Sequence, residues 1–468
     1  MKHLATLPKH TSYLAALIAA ALLTGCSDAE TNIVEKDPIE APGDGDDHDL
    51  DDDDHDHGDE YTIDSLGRLT VLSAESNEAA IFDLDDNALL DTFSLTYEGS
   101  SLTSSAGFRY AVIANRAEDV IEFIDGGLWR EDHVEHLHDY EEAPAFTDYT
   151  LTGSAPTHVV KHDGAMAVFF DGNADANLPA SVTVLGDNDI TAERAELPMV
   201  EYAVNMHGVA EPRGEHLLAT IRRDDAQTTS ANPILPDTVA VFHLHDGEYE
   251  QEQTLETTCP DLHGAAQNEE FVVFGCSDGV LVAEQNGDEY TSFKIDNIDA
   301  LNGLRVGSLY GHHERDTFVG VASQHGGGAA VLVNVHPHDS EMEEIDWQPA
   351  EGAHAVSYAF TLEGEHFVIL DDTGFLTIMS YHSDDDHNHW EVTARVDISE
   401  EDVSAMPEGQ QFSMAVSQYA GVVYVADPLA NHVVSVDLES ASIEEHVELD
   451  FAPKAISWLG IAESDHDH

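Results

Sequence analysis

Basic side chains are scarce in this sequence. Of 468 residues only 17 are lysine or arginine, against 93 aspartates and glutamates, and the formal charge is −76. Nucleic-acid binding relies on basic groups that neutralise phosphates, so this balance excludes DNA and RNA as partners. A chain with this charge repels itself unless salt screens it, and we expect a salt-exposed compartment.

Long apolar runs are also missing. The run Tyr13–Leu23 is too short to span a bilayer, and it ends in Leu23-Thr24-Gly25-Cys26. This order resembles bacterial lipoprotein signals, so we expect residues 1–25 to be a signal peptide and Cys26 to be the lipid anchor. Ser27 after the cysteine favours the outer membrane over the inner one. The expected location is the periplasm, with membrane contact through the lipid only.

The next segment, residues 26–60, contains no Phe, Trp or Tyr and has 16 acidic residues between Ser27 and Glu60. Such a stretch cannot bury a core, and we expect a disordered tether. His48, His55 and His57 are interleaved with aspartates in it. The segment is either a solvated spacer or an arm that captures metal weakly, because imidazole and carboxylate both ligate zinc.

Helical periodicity is nearly absent after Leu66, and short β-rich runs such as Ser181–Leu185 and Thr238–Phe242 recur between turn signals. A strand–turn–strand unit followed by a hairpin restarts at a period of about 40 to 60 residues, which is typical of a four-stranded propeller blade. The restarts lie near Leu102, Thr157, Met206, Leu262, Gly311, Ala353 and Phe412.

The final strand-like segment, Lys454–Gly460, has no hairpin after it, whereas the first unit, Arg68–Leu95, lacks an inner strand. Together they would complete one blade and close the ring, which removes exposed sheet edges. We therefore predict an all-β fold, a β-propeller of eight blades over residues 61–463, with seven blades as the alternative. Residues 464–468 form a His/Asp tail.

Cysteine is rare, with only Cys259 and Cys276 in the expected mature domain. They flank a predicted hairpin symmetrically, so antiparallel pairing places the sulfurs opposite each other. In an oxidising periplasm this predicts a disulfide, with a metal site built on the two cysteines as the alternative.

Three histidines occupy the same register before the first turn of successive units: His158, His207 and His263. A single such histidine is usually a hydrogen-bonded structural residue, but three where inner strands begin predict a transition-metal site with room for a fourth ligand. Asp261, His136, His138 or water are the candidates for that position. His136 and His138 belong to the cluster at 132–138, and strand alternation would aim both to one side.

These motifs together resemble the periplasmic zinc metallochaperones of the AztD type. The resemblance rests on Pro156-Thr157-His158-Val159, His207-Gly208-Val209-Ala210, the two cysteine segments around His263, the 132–138 cluster and the histidine-rich arm. It implies a β-propeller that binds Zn²⁺ and delivers it to the solute-binding protein of a zinc ABC transporter.

Two other functions remain open from the sequence. Propellers also host lactonases and other hydrolases, but no nucleophile motif such as Gly-x-Ser-x-Gly is present, and we predict that the protein is not an enzyme. The second alternative is a cell-envelope interaction scaffold that needs no metal.

Overall fold

A computed structural model of the chain describes residues 61–97, 101–132, 137–222, 234–324, 329–383 and 388–463. The predicted signal peptide, Cys26, the tether with His48, His55 and His57, His136 and the tail at 464–468 lie outside these residues. Within them, no helix has the length and apolar character needed to cross a membrane.

The described chain folds into eight four-stranded antiparallel sheets, each a propeller blade. Numbering the blades from the one that contains Arg68, the inner strands are Pro453–Leu459, Ser101–Ser104, Pro156–His162, Ala210–Arg213, Ala265–Gln267, Arg305–Tyr310, Ala355–Phe360 and Ser413–Val416. The second strands are Arg68–Ser73, Tyr110–Asn115, Ala165–Phe170, His216–Ile221, Phe271–Gly275, Phe318–Ser323, His366–Asp371 and Val422–Asp427.

The third strands are Glu78–Asp83, Val120–Asp125, Ser181–Leu185, Thr238–His245, Gly279–Asn286, Val331–His336, Phe375–Ser383 and His432–Asp437. The outer strands are Leu89–Ser94, Ala145–Thr152, Met199–Glu201, Glu248–Thr254, Glu289–Asp296, Glu341–Ile345, Asn388–Asp397 and Ser442–Glu448. A separate hairpin, Leu128–Asp132 with Leu137–Glu141, is inserted in blade 2. The helices are short: Asp187–Thr191, Asp299–Leu301 and Val403–Ala405.

The first blade closes the ring as the sequence predicts. Its inner strand comes from the end of the described chain and pairs with the first strand, with Arg68 opposite Leu459 and Leu69 opposite Trp458. Gly67 precedes this junction with a φ of +93°, and a Cβ there would lie 2.6 Å from the Leu459 carbonyl oxygen. Glycine is therefore required where the strand that starts at Arg68 meets the strand that ends at Leu459.

The core lies between the blades. Each of eight buried apolar clusters in the described residues joins two neighbouring blades, and together they run once around the ring. The strand Phe271–Gly275 shows the cause, because side chains alternate between the faces of a strand. Val272 and Phe274 pack towards blade 4, whereas Phe271 and Val273 pack towards blade 6.

The eight-bladed prediction is confirmed, and one predicted restart is wrong. The inner strand of blade 6 begins at Arg305 and ends at Tyr310, so Gly311 follows it. The pairing of this strand shifts between Val306 and Ser308. Only Val306 and Leu309 of this strand are buried, so the strand lacks the continuous apolar run that would mark it in the sequence.

Candidate metal site

Three successive inner strands position the predicted histidines. His158 is the third residue of the inner strand of blade 3, and His207 and His263 lie in the segments that lead into the inner strands of blades 4 and 5. Inner strands of neighbouring blades pack against each other around the centre of the ring. The equivalent starting points therefore lie side by side, and the structure brings the three imidazoles together.

The three rings form a nearly equilateral group. Ring centroids are 5.0 Å apart for His158 and His207, 5.1 Å for His207 and His263, and 5.6 Å for His158 and His263. One ring nitrogen of each lies within 4.8 Å of the others, and all three residues are half-buried. His158 Nε2 and His207 Nε2 are 3.3 Å apart.

Hydrogen bonds fix which nitrogen of two of these rings carries a proton. His207 Nδ1 lies 3.0 Å from a carboxylate oxygen of Asp171, and His263 Nδ1 lies 2.9 Å from the carbonyl oxygen of Gly307. Both oxygens accept, so each Nδ1 donates and the lone pair of the neutral ring is on Nε2. This is how ligating histidines are usually oriented in zinc proteins.

Asp171 is the main residue of the site that the sequence reasoning missed. It follows the second strand of blade 3 directly, and its backbone carbonyl accepts from the amide of Met206, which docks the segment carrying His207. Its carboxylate also accepts from Arg116 at 2.7 Å. Burial alone would raise the pKa of Asp171, but the hydrogen bond to His207 and the Arg116 guanidinium hold that pKa below its usual value.

Two glycines allow the close packing of the histidine segments. A Cβ on Gly208 would lie 2.3 Å from the hydroxyl of Thr220 and 2.6 Å from the ring of Phe169. A Cβ on Gly264 would lie 2.6 Å from the carbonyl oxygen of Gly307, the group that accepts from His263. A side chain at either position would force a local shift beside the histidine that precedes it.

The surroundings of His158 favour its neutral form. Burial, together with the neighbouring His207 and His263 rings, lowers the pKa of His158 to about 4. A neutral imidazole is the form that ligates a metal, so His158 needs no deprotonation at neutral pH.

The structure contains the predicted disulfide between Cys259 and Cys276, with an S–S distance of 2.06 Å. It brackets the segment of His263, whose amide donates to the Gly275 carbonyl at 3.1 Å, while the Gly275 amide donates to Gly264 at 2.8 Å. The disulfide and these bonds fix the entry of the chain into the inner strand of blade 5.

Of the other predicted ligands, Asp261 and His138 are not members of the three-histidine group. Asp261 is exposed in the turn before His263. The His138 ring stacks on Tyr140 at 4.7 Å in the inserted hairpin and contacts Tyr61 edge-on at 5.4 Å. In the described part of the chain, the group of converging ligand atoms around His158 contains neither residue.

The fold and the histidine group together define an eight-bladed β-propeller with a three-imidazole centre. No family model matches the sequence. The chain is 24% identical over 306 residues to the zinc chaperone AztD of Citrobacter koseri, covering 64% of this chain and 68% of that protein. The resemblance to zinc chaperones seen in the sequence is thereby confirmed, and this relative is named as a chaperone rather than an enzyme.

Solved structures of C. koseri AztD share the fold. The apo structure superposes with a TM-score of 0.67 at 20% identity, covering 85% of this chain and 98% of that one. A second AztD structure gives a TM-score of 0.68 at 20% identity, covering 85% and 99%. The dihydro-heme d1 dehydrogenase NirN, at 12% identity and a TM-score of 0.53 over 85% and 76%, shows a likeness of fold alone.

Proposed function

We propose that this protein is a periplasmic zinc chaperone that binds Zn²⁺ through His158, His207 and His263 and delivers it to the solute-binding protein of a zinc ABC transporter. The observation that carries the proposal is the convergence of three imidazoles from three blades. The similarity to the zinc chaperone AztD supports zinc as the cargo.

The donor chemistry fits zinc. Zn–N bonds of about 2.05 Å in a tetrahedral site place two nitrogens about 3.3 Å apart. The separation of His158 Nε2 and His207 Nε2 is 3.3 Å. His263 would complete a three-nitrogen face by a small movement, since all three ligand atoms are within 4.8 Å.

A three-histidine site leaves the fourth zinc position to water or to an incoming ligand. Asp261, His138 and His136 stay candidates for that position from the sequence, although Asp261 and His138 are not members of the three-histidine group. An open position lets a ligand of the partner protein bind before the donor's histidines leave. Zinc would then pass by ligand exchange without release into solution.

The N-terminal segments complete the proposal. Residues 1–25 act as a signal peptide and Cys26 as a lipid anchor, most consistent with the outer membrane. The tether at 26–60 carries His48, His55 and His57 on a chain rich in aspartate, which would hold zinc loosely and exchange it quickly. We assign it a role in the rate of loading or handover rather than in affinity.

The test is a transfer assay with the untagged mature chain. Zinc-loaded protein is mixed with the apo solute-binding protein in the presence of a competing chelator, with and without residues 27–60. Direct transfer is expected to be faster than spontaneous zinc release. Transfer no faster than spontaneous zinc release would contradict direct delivery. The protein would then be a passive zinc store.

The site assignment has its own control. The variant with His158, His207 and His263 all changed to alanine is expected to lose one tightly bound zinc. Changing His313, His354 and His446 to alanine removes the same number of imidazoles outside this group and should leave that zinc in place. Equal zinc binding by the two variants would show that the site is elsewhere.

A further inference from the structure

A second group of metal-ligating side chains lies on the outer part of blade 4. His243 and His245 are in its third strand, Thr238–His245, and Glu252 is in its outer strand, Glu248–Thr254. Strand residues two apart point to the same face, so both imidazoles project to one side. One ligand atom of each of the three residues lies within 4.8 Å of the others.

Glu252 contacts both histidines through its two oxygens. Oε1 lies 2.8 Å from His245 Nε2, and Oε2 lies 3.4 Å from His243 Nδ1. The pairing of the two strands is irregular here: Phe242 pairs with Gln251 but Val241 with Gln253, so Glu252 has no residue opposite it. A bulge of this kind redirects a side chain, which accounts for one carboxylate reaching both rings.

A buried histidine of the neighbouring strand, His216, packs against the cluster. His216 is paired with His243 across the neighbouring strands, and their ring centroids are 4.7 Å apart. His216 is buried, its Nδ1 lies 3.1 Å from the hydroxyl of Tyr290 in blade 5, and its Nε2 has no hydrogen-bond partner. His243 is therefore held between a buried imidazole and the Glu252 carboxylate.

The cluster is accessible from solvent. The His243 side chain is 17% exposed, whereas those of His245 and Glu252 are 44% and 43% exposed. Glu215 lies 3.7 Å from His243 Nε2 and adds negative charge. Two imidazoles and a carboxylate form a donor set that zinc uses where it keeps a position open for water.

We propose that His243, His245 and Glu252 form a second metal site, which binds a divalent transition-metal ion of the zinc class with water in the remaining position. This site is on the outer strands of one blade, whereas the three-histidine site is at the starts of three inner strands. It stands on its own contacts and does not depend on the proposed delivery function.

Blade 6 offers a matched comparison, because His336 and His338 have the same spacing at the end of its third strand. There the ligand atoms diverge: His336 Nε2 is 3.4 Å from Glu343, and His338 Nε2 is 3.0 Å from Glu270 on blade 5. In the described residues this pair forms no converging group with a carboxylate. Histidine spacing alone therefore does not make a site.

The experiment measures Zn²⁺ bound per chain at buffered zinc concentrations, on the untagged mature protein. The double variant His243→Ala/His245→Ala is compared with His336→Ala/His338→Ala, each also in the background that lacks His158, His207 and His263. Titration with Co²⁺, followed by its visible absorption, reports the ligand environment. Circular dichroism confirms that the variants are folded.

The blade 4 variant is expected to lose one equivalent of zinc and the matching cobalt absorption in both backgrounds, and the blade 6 variant to lose neither. Glu252→Gln, which keeps the shape of the side chain, should weaken the same equivalent. Unchanged stoichiometry in the blade 4 variant, or an equal loss in the blade 6 variant, would overturn the inference. If zinc is lost only when His158, His207 and His263 are changed, the proposed function is supported and there is no second site.

Discussion

Replacing Asp171 with asparagine removes the negative charge that orients His207 and keeps all three imidazoles. In the wild-type protein one Asp171 oxygen accepts from His207 Nδ1 at 3.0 Å and from Arg116 at 2.7 Å. The neutral amide accepts a weaker hydrogen bond from Nδ1–H. His207 is then a less basic ligand in a less fixed orientation, and we expect zinc affinity to fall.

The size of the effect follows from the burial of this contact. Asp171 is 7% exposed, so solvent screens its charge little. Loss of such a partner of a ligating histidine typically lowers metal affinity by roughly 10- to 100-fold, or about 1.4 to 2.7 kcal/mol. Asp171→Ala should cost at least as much, because it also leaves the His207 Nδ1–H without its acceptor.

The assay is competition for zinc with a chromophoric chelator. Asp371→Asn is the matched control, since Asp371 is fully buried, ends the second strand of blade 7 and pairs with Arg395 at 3.0 Å. Both variants should unfold more easily than the wild type, but only Asp171→Asn should bind zinc more weakly. Wild-type affinity in Asp171→Asn, or equal weakening in the control, would refute the positioning role of Asp171.

Three further outcomes are expected. Replacing both Cys259 and Cys276 with alanine should lower the free energy of unfolding by about 3 kcal/mol, because the disulfide closes a loop with a separation of 17 residues; an unchanged denaturation midpoint would contradict this. Gly208→Ala should weaken zinc binding in the competition assay by displacing His207, and wild-type affinity would show that the segment adapts. Burial raises the pKa of Glu211 from 4.5 to about 8, so stability should fall as pH rises from 4.5 through 8. Glu211→Gln should reduce this fall in denaturant titrations at several pH values, and an unaltered pH dependence would place the raised pKa elsewhere.

Most of the fold is predictable from the sequence because each blade repeats the same local pattern. Second strands such as Phe271–Gly275 are continuous apolar runs in the sequence. Their successive side chains pack on the two neighbouring blades in turn, so nearly every residue is buried. The closure by Lys454–Gly460 was predictable from an incomplete first unit. The start of blade 6 was not, because its inner strand has only two buried residues and an irregular pairing around Gly307, neither of which is visible in the local sequence pattern.

The histidine group was predictable because register alone places equivalent residues side by side in a ring. Its supporting residues were not, since Asp171 and Gly307 come from loops and bulges with no distinctive local pattern. Asp171 can be recognised as part of the site only when the strand topology is known. A residue that ends a second strand lies at the same edge of the sheet as the residue that begins the inner strand, so an aspartate there faces the neighbouring histidines.

The same reasoning explains why the sequence predicts the group of His158, His207 and His263 but not the cluster on blade 4. His243-Leu244-His245 and His336-Pro337-His338 are indistinguishable in spacing, and each is followed by acidic residues on the next strand. What separates them is the direction of the carboxylates, which depends on a one-residue shift in pairing between Val241 and Phe242. A shift of this kind changes which side chains share a face but leaves the sequence pattern the same. Metal sites built across blades can therefore be found from a repeat, whereas sites built within one blade require the strand register.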